Sequence, residues 1–113
     1  MSENEKYIPN KGDIVWIDFD PSFGQEIQKR RSGLVVSRYD FNRKTRFAVI
    51  CSITSTIKDL PTRYSLPNEV DINGQVLISQ FKSLDFNSRN LVLADHLPVQ
   101  DMAKINQLIE YIF

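Results

Sequence analysis

The sequence is poor in the residue types that build most metal sites and most nucleophilic sites. Its 113 residues include one cysteine, Cys51, and one histidine, His96. A single cysteine excludes an internal disulfide and fits a reducing compartment. A structural zinc ion normally needs four cysteine or histidine ligands, and a two-histidine acid–base mechanism needs a second histidine. One subunit can build neither, and we expect no metal or other cofactor.

Glycine and long apolar runs are also scarce. The four glycines stand apart, at Gly12, Gly24, Gly33 and Gly74, so there is no glycine-rich phosphate loop. No apolar stretch approaches the roughly 20 residues that cross a bilayer, and the N-terminus is not followed by the apolar segment of a signal peptide. We therefore expect one cytoplasmic domain, residues 1–113, that does not bind membranes.

The chain has no excess of either charge overall, but its basic residues are concentrated in one segment. The formal net charge is zero. Between residues 28 and 63 there are nine basic residues: Lys29, Arg30, Arg31, Arg38, Arg43, Lys44, Arg46, Lys58 and Arg63. Only Asp40 and Asp59 are acidic there, so this segment carries +7 (9 minus 2) and the remainder −7 (5 minus 12). A basic face attracts phosphate, although charge alone fits a solvated surface equally well.

Short apolar runs separated by turn residues predict a mainly β protein. The predicted strands are residues 13–19, 33–37, 46–53, 63–66, 75–81 and 91–94. Residues 39–44 are polar and typical of a turn. Near the end of the chain, apolar residues recur at three- and four-residue steps, which predicts an amphipathic helix. They are Val99, Met102, Ile105, Ile109 and Ile112. We expect a small β-barrel closed or capped by this C-terminal helix.

Arginine and hydroxyl groups are the remaining candidates for chemistry. Arg31 lies at a loop-to-strand junction, and Thr54 lies where the longest apolar strand ends. A guanidinium matches a phosphate group, and a neighbouring hydroxyl adds a donor. Such a pair can stabilise the charge that develops when the 2′-hydroxyl of RNA attacks the adjacent phosphorus. From chemistry alone, a surface arginine and an ordinary strand threonine are the favoured interpretation of these positions.

Four segments, taken together, resemble the MazF/PemK family of toxin endoribonucleases. The first is residues 12–19 (GDIVWIDF), and the second runs from 24–26 (GQE) through Arg31 to 34–37 (LVVS). The third is residues 53–58 (ITSTIK), and the fourth is residues 76–85 (VLISQFKSLD). Each segment alone is weakly diagnostic. Their shared order and spacing extend the resemblance from about residue 7 to the final helix.

The resemblance implies an SH3-like barrel, a homodimer and single-stranded RNA, such as mRNA, bound across the dimer groove. It implies that Arg31 and Thr54 carry catalysis without a metal, and that the products bear a 2′,3′-cyclic phosphate and a 5′-hydroxyl. An acidic antitoxin of the MazE/PemI type is the implied inhibitor. The candidate RNA-binding residues are Phe19, Glu26, Lys29, Arg30, Ser55, Thr56, Lys58 and Gln80. The Phe19 ring could stack on a base, and Gln80 could read a base edge.

The sequence departs from the family pattern at three places, one of which is residues 28–30, more basic than the usual small-residue loop. Ser32 replaces the proline that usually follows the catalytic arginine, which leaves Arg30 as an alternative to Arg31. Ser79 replaces a common acidic residue, which affects the expected base preference. Two other functions stay open: a DNA gyrase poison of the CcdB type, and a nucleic-acid- or antitoxin-binding module without activity. The arginine–threonine pair favours the nuclease over both.

Overall fold

The structure is a computed structural model that describes residues 7–19 and 30–113. Its elements in chain order are β1 (Asp13–Ile17), β2 (Arg31–Val35), α1 (Tyr39–Thr45), β3 (Phe47–Thr54), β4 (Arg63–Ser65), β5 (Gln75–Asp85), a 3₁₀ turn (Phe86–Ser88), β6 (Val92–His96) and α2 (Val99–Ile112). The candidate residues Glu26 and Lys29 lie outside the described residues. Within these two ranges, no helix is long and apolar enough to cross a membrane.

The six strands form one antiparallel sheet in the order β4-β5-β3-β2-β1-β6. The sheet curls into a half-barrel, and β4 and β6 are its two edges. The prediction of a mainly β fold with a C-terminal helix is confirmed. The last strand pairs with the first, so residues about 80 positions apart in sequence, such as Asp13 and His96, lie side by side.

Successive strand residues point to opposite faces of the sheet, and each face carries a cluster of buried side chains. On one face, Ile14 and Leu34 form a cluster that Ile105 of α2 completes. On the other face, Val15 and Val35 belong to a second cluster. The predicted stripe on α2 is confirmed for its central members, but Val99 is 80% exposed. Residue 99 is the first residue of the helix.

Two predictions of local structure were wrong. Residues 39–44, expected to be a turn, belong to α1, which presents only Asn42 to the interior. The Asn42 side-chain amide donates to the carbonyl oxygens of Pro9 (2.9 Å) and Ser37 (3.3 Å), so a polar network rather than an apolar stripe fixes this helix. Strand β5 continues to Asp85 instead of ending at Phe81, because its second half pairs with the start of β3.

Candidate active site

Arg31 and Thr54 meet at the end of the β2–β3 ladder. These strands are antiparallel, and their last recorded pair toward this end is Gly33 with Ser52. Extending this register by two residues, backwards along β2 and forwards along β3, would place position 31 opposite position 54. A cavity of about 560 Å³ opens there, and both side chains line it. Strand register therefore brings together two residues that are 23 positions apart in sequence.

The cavity is lined mainly by strand-end and loop residues. Besides Arg31 and Thr54, these are Trp16, Ser32, Ser52, Ile53, Ser55, Asp71, Ile72, Asn73, Leu77 and Gln80. Ser55 and Gln80 were predicted from the sequence. Trp16 and the 71–73 segment were missed, although the pairing of Trp16 with Ser32, next to Arg31, is a signal that strand register supplies. Hydroxyl, amide, indole and carboxylate groups thus line the same cavity as the guanidinium.

A second cavity, of about 320 Å³, adjoins the first and shares three of its residues. Arg31, Ser52 and Gln80 line both cavities, so the guanidinium borders the two spaces. Phe19 and Lys82 line only the second. Phe19 is 5% exposed and packs in the core, so only a small part of its ring is accessible to a base in this chain. Base stacking by Phe19 stays a prediction.

An irregularity in β5 places Gln80 at the cavity. Cys51 pairs with Phe81 and Ile53 pairs with Val76, so two steps along β3 correspond to five along β5. Strand β5 therefore holds three extra residues opposite Ser52. Such a bulge bends a strand and redirects its side chains. This bend brings Gln80 beside Ser52, where both line the two cavities.

The loop after Thr54 is held by hydrogen bonds that each involve a side chain. The Thr54 hydroxyl oxygen accepts from the amide of Thr56 (3.2 Å), and the Lys58 amide donates to the buried side-chain oxygen of Gln75 (3.0 Å). Arg63 donates to the Thr56 carbonyl (2.7 Å) and to the same Gln75 oxygen (3.3 Å). Neither Thr56 nor Lys58 lines a cavity, and their predicted RNA contacts stay predictions. Gln75 and Arg63 are positioning residues that the sequence did not reveal.

Arg30 and Arg31 have different surroundings. The Arg30 guanidinium is exposed and donates to the Asn90 carbonyl oxygen at 2.8 Å. Arg30 lines neither cavity, whereas Arg31 lines both. Of the two candidate arginines, Arg31 is therefore the one that borders the cavities.

The 71–73 segment is fixed to strand β6. The Asp71 amide donates to one carboxylate oxygen of Asp95 (2.9 Å), and the His96 amide donates to the other (2.7 Å). These two backbone donors lower the pKa of Asp95, and the Asp71 amide has the larger effect. The carboxylate stays ionised near neutral pH and tethers the segment that forms one wall of the cavity.

The curled sheet, its C-terminal helix and the strand-end cavity define the MazF-type class of small toxins. The model of the family of PemK-like, MazF-like toxins of type II toxin–antitoxin systems matches residues 10–113. The chain belongs to this family, the MazF-type endoribonuclease toxins.

Individual relatives agree in sequence and in structure. The endoribonuclease toxin MazF of Escherichia coli K12 is 31% identical over 108 residues, which cover 92% of this chain and 96% of that protein. The crystal structure of MazF from Deinococcus radiodurans (form I) superposes with a TM-score of 0.82 at 31% identity, covering 95% of this chain and 97% of that one. The MazE–MazF crystal structure (form II) from the same organism gives a TM-score of 0.85 at 31% identity, covering 95% and 96%.

Proposed function

We propose that this toxin is a sequence-specific endoribonuclease that cuts single-stranded RNA without a metal ion. The 2′-oxygen forms a bond to the adjacent phosphorus while the bond from phosphorus to the 5′-oxygen breaks. A proton leaves the 2′-hydroxyl, and a proton reaches the departing 5′-oxygen. The products are a 2′,3′-cyclic phosphate and a 5′-hydroxyl, so atoms and charge balance without a redox step or a water nucleophile.

The observation that carries the proposal is the shared cavity of Arg31 and Thr54. A guanidinium stays protonated near neutral pH, so it is suited to stabilising anionic oxygens and poorly suited to acting as a general base. In our proposal Arg31 holds two oxygens of the phosphorane-like transition state and Thr54 donates a hydrogen bond to it. Donors placed in this way contribute about 3–4 kcal/mol each in other enzymes.

The proposal extends to partners. The D. radiodurans neighbours include MazE–MazF complexes, which supports a cognate antitoxin as the inhibitor. An acidic antitoxin segment would accept hydrogen bonds from the basic residues near the cavity and exclude RNA. The RNA-binding groove would lie between two copies of the chain in a homodimer. Competition between an antitoxin peptide and RNA tests this arrangement, and simultaneous binding of both would contradict it.

The decisive experiment is incubation of the purified chain with single-stranded RNA in excess EDTA. Cleavage is expected in the wild type, with a cyclic phosphate at the new 3′ end by mass spectrometry. Arg31→Ala and Thr54→Ala should abolish it. The controls Lys104→Ala and Ser83→Ala alter exposed side chains outside both cavities and should retain it. Intact RNA would overturn the proposal, and a block of DNA supercoiling in the same preparation would point to a gyrase poison.

A further inference from the structure

Helix α1 carries a concentrated positive charge that the proposed active site does not use. Residues 38–46 include four cations and one acid, Asp40, for a local charge of +3. Arg46 has a structural role: its guanidinium lies 5.5 Å from the centre of the Phe86 ring and donates to Asn87 at 3.4 Å. Arg38, Arg43 and Lys44 are exposed, and none of their side chains forms a hydrogen bond or ion pair with another described residue.

Exposed aromatic rings lie among these cations. Tyr39 is 40% exposed and Phe41 is 45% exposed. At 100° per residue, Lys44 lies about 160° from the buried Asn42, Phe41 and Arg43 about 100° to either side, and Tyr39 about 60° away. All four side chains are exposed. We call Arg38, Tyr39, Phe41, Arg43 and Lys44 the α1 surface. Cations interleaved with aromatic rings are the composition that binds single-stranded nucleic acid, because cations attract phosphates and rings stack on bases.

The α1 surface lies at the opposite end of β3 from the cavity. Helix α1 precedes Phe47, the first residue of the strand, and Thr54 is the last. Seven residue steps of about 3.3 Å separate Phe47 from Thr54 by roughly 23 Å. A stacked strand with one nucleotide per roughly 3.4 Å covers that distance with about seven nucleotides. One RNA molecule of ordinary length can therefore contact both places.

We infer that the α1 surface is a second RNA-binding site, which holds single-stranded RNA outside the cleavage cavity. The inference rests on the proposed function for the identity of the nucleic acid. Its attraction is to phosphates and to base faces, so it is independent of base sequence. It raises the affinity for long transcripts and does not take part in the bond cleavage.

The test measures binding of a 30-nucleotide 2′-O-methyl RNA of mixed sequence over a range of salt concentrations. This RNA lacks the 2′-hydroxyl and cannot be cut by the proposed mechanism. Each phosphate contact to a single strand contributes about 0.7 to the slope of log affinity against log salt. Arg43→Gln/Lys44→Gln is expected to reduce the slope by about 1.4 and the affinity at 0.1 M salt by roughly tenfold. Tyr39→Leu/Phe41→Leu should lower the affinity by about tenfold with the slope unchanged.

The matched control is Lys11→Gln/Lys104→Gln, which removes the same charge from places outside α1 and outside both cavities. Equal slope changes in the two charge variants, or no change in Arg43→Gln/Lys44→Gln, would overturn the inference. The inference would also be overturned if Arg43→Gln/Lys44→Gln lost binding to poly-L-glutamate but kept binding to RNA. That result would show that the surface binds an acidic protein. If the chain bound this RNA through α1 but cut no RNA in EDTA, the inference would stand and the proposed function would be wrong.

Discussion

Gly74 lies directly against the backbone of Thr54. A Cβ atom at position 74 would stand 2.3 Å from the Thr54 carbonyl oxygen, a separation that real Cβ atoms do not adopt. The φ angle of Gly74 is +138°, which residues with a side chain rarely adopt. Thr54 is paired with Gln75 in the adjacent strand. The position of a proposed catalytic threonine therefore depends on the absence of a side chain one residue before β5.

Gly74→Ala is expected to damage both stability and activity. The methyl group must displace the Thr54 carbonyl and the backbone must leave its φ value, which should cost about 2 kcal/mol or more. Urea denaturation measures the cost, and RNA cleavage measures the displacement of Thr54. Asn68→Ala, an exposed position in the same connection, should stay within about 0.5 kcal/mol of the wild type. Wild-type stability and cleavage in Gly74→Ala would show that the close approach is unimportant.

Arg31→Lys should lose about 100-fold or more in the single-turnover rate of RNA cleavage. Lysine keeps the positive charge but cannot offer the two parallel donors of a guanidinium fork. RNA affinity should fall much less than the rate, because the interaction is formed mainly in the transition state. Quench-flow kinetics with saturating enzyme separates the two quantities. Retention of nearly full activity would contradict the bidentate role.

Gln75→Met should loosen the loop that follows Thr54. The substitution removes the acceptor of the Lys58 amide and of Arg63, and the donor to the Ser65 hydroxyl (3.1 Å). Loss of a buried hydrogen-bonding group is expected to cost about 1–3 kcal/mol. Faster hydrogen exchange at the Lys58 amide, with slower RNA cleavage, is the expected signature. Gln107→Met, on the exposed side of α2, is the control. An unchanged exchange rate at the Lys58 amide in Gln75→Met would show that Gln75 does not hold the loop.

Alkaline pH should destabilise the fold through Cys51. Burial raises the pKa of its thiol from 9.0 to about 12. Below pH 9 the thiol is protonated in both states, so its contribution to stability is fully present. Between pH 9 and about 12 the unfolded chain loses this proton first, so stability is lost as pH rises.

Urea denaturation between pH 8.5 and 10 measures this effect. The slope should approach about 1.4 kcal/mol per pH unit from this group once the pH exceeds 9. In Cys51→Ala that part of the slope should disappear, whatever the effect of the substitution on absolute stability. The same slope in both proteins would assign the alkaline loss to other groups. Tyr64 begins to contribute only above its ordinary pKa of 10.0, because burial and its bond to Asp101 raise its pKa to about 12.

The sequence predicted the sheet better than it predicted the site. Alternation of apolar residues and turn chemistry identified all six strands, because these signals are local. The approach of Arg31 to Thr54 was predicted only through the family resemblance. Its physical cause is the register of β2 on β3, which no local pattern specifies. The walls formed by Trp16 and by the 71–73 segment come from strands and loops distant in sequence.

Two elements show where local signals fail. Helix α1 has no apolar stripe, because the buried Asn42 amide replaces one. The irregular stretch of β5, residues 77–80, contains no glycine or proline that would predict a bulge. It follows from the pairing of both ends of β5 with β3, which requires the complete sheet. Gln80 was identified as a candidate, but its position beside Ser52 could not be derived.

The pairing of β1 with β6 has a consequence for the newly made chain. On the ribosome, β1 lacks one of its two neighbours until residues 92–96 have emerged, and the core under α2 lacks Met102 and Ile105 until still later. A prematurely terminated product therefore lacks a completed sheet around the cavity. Any harm that depends on this cavity therefore requires synthesis through β6 and through the buried residues of α2.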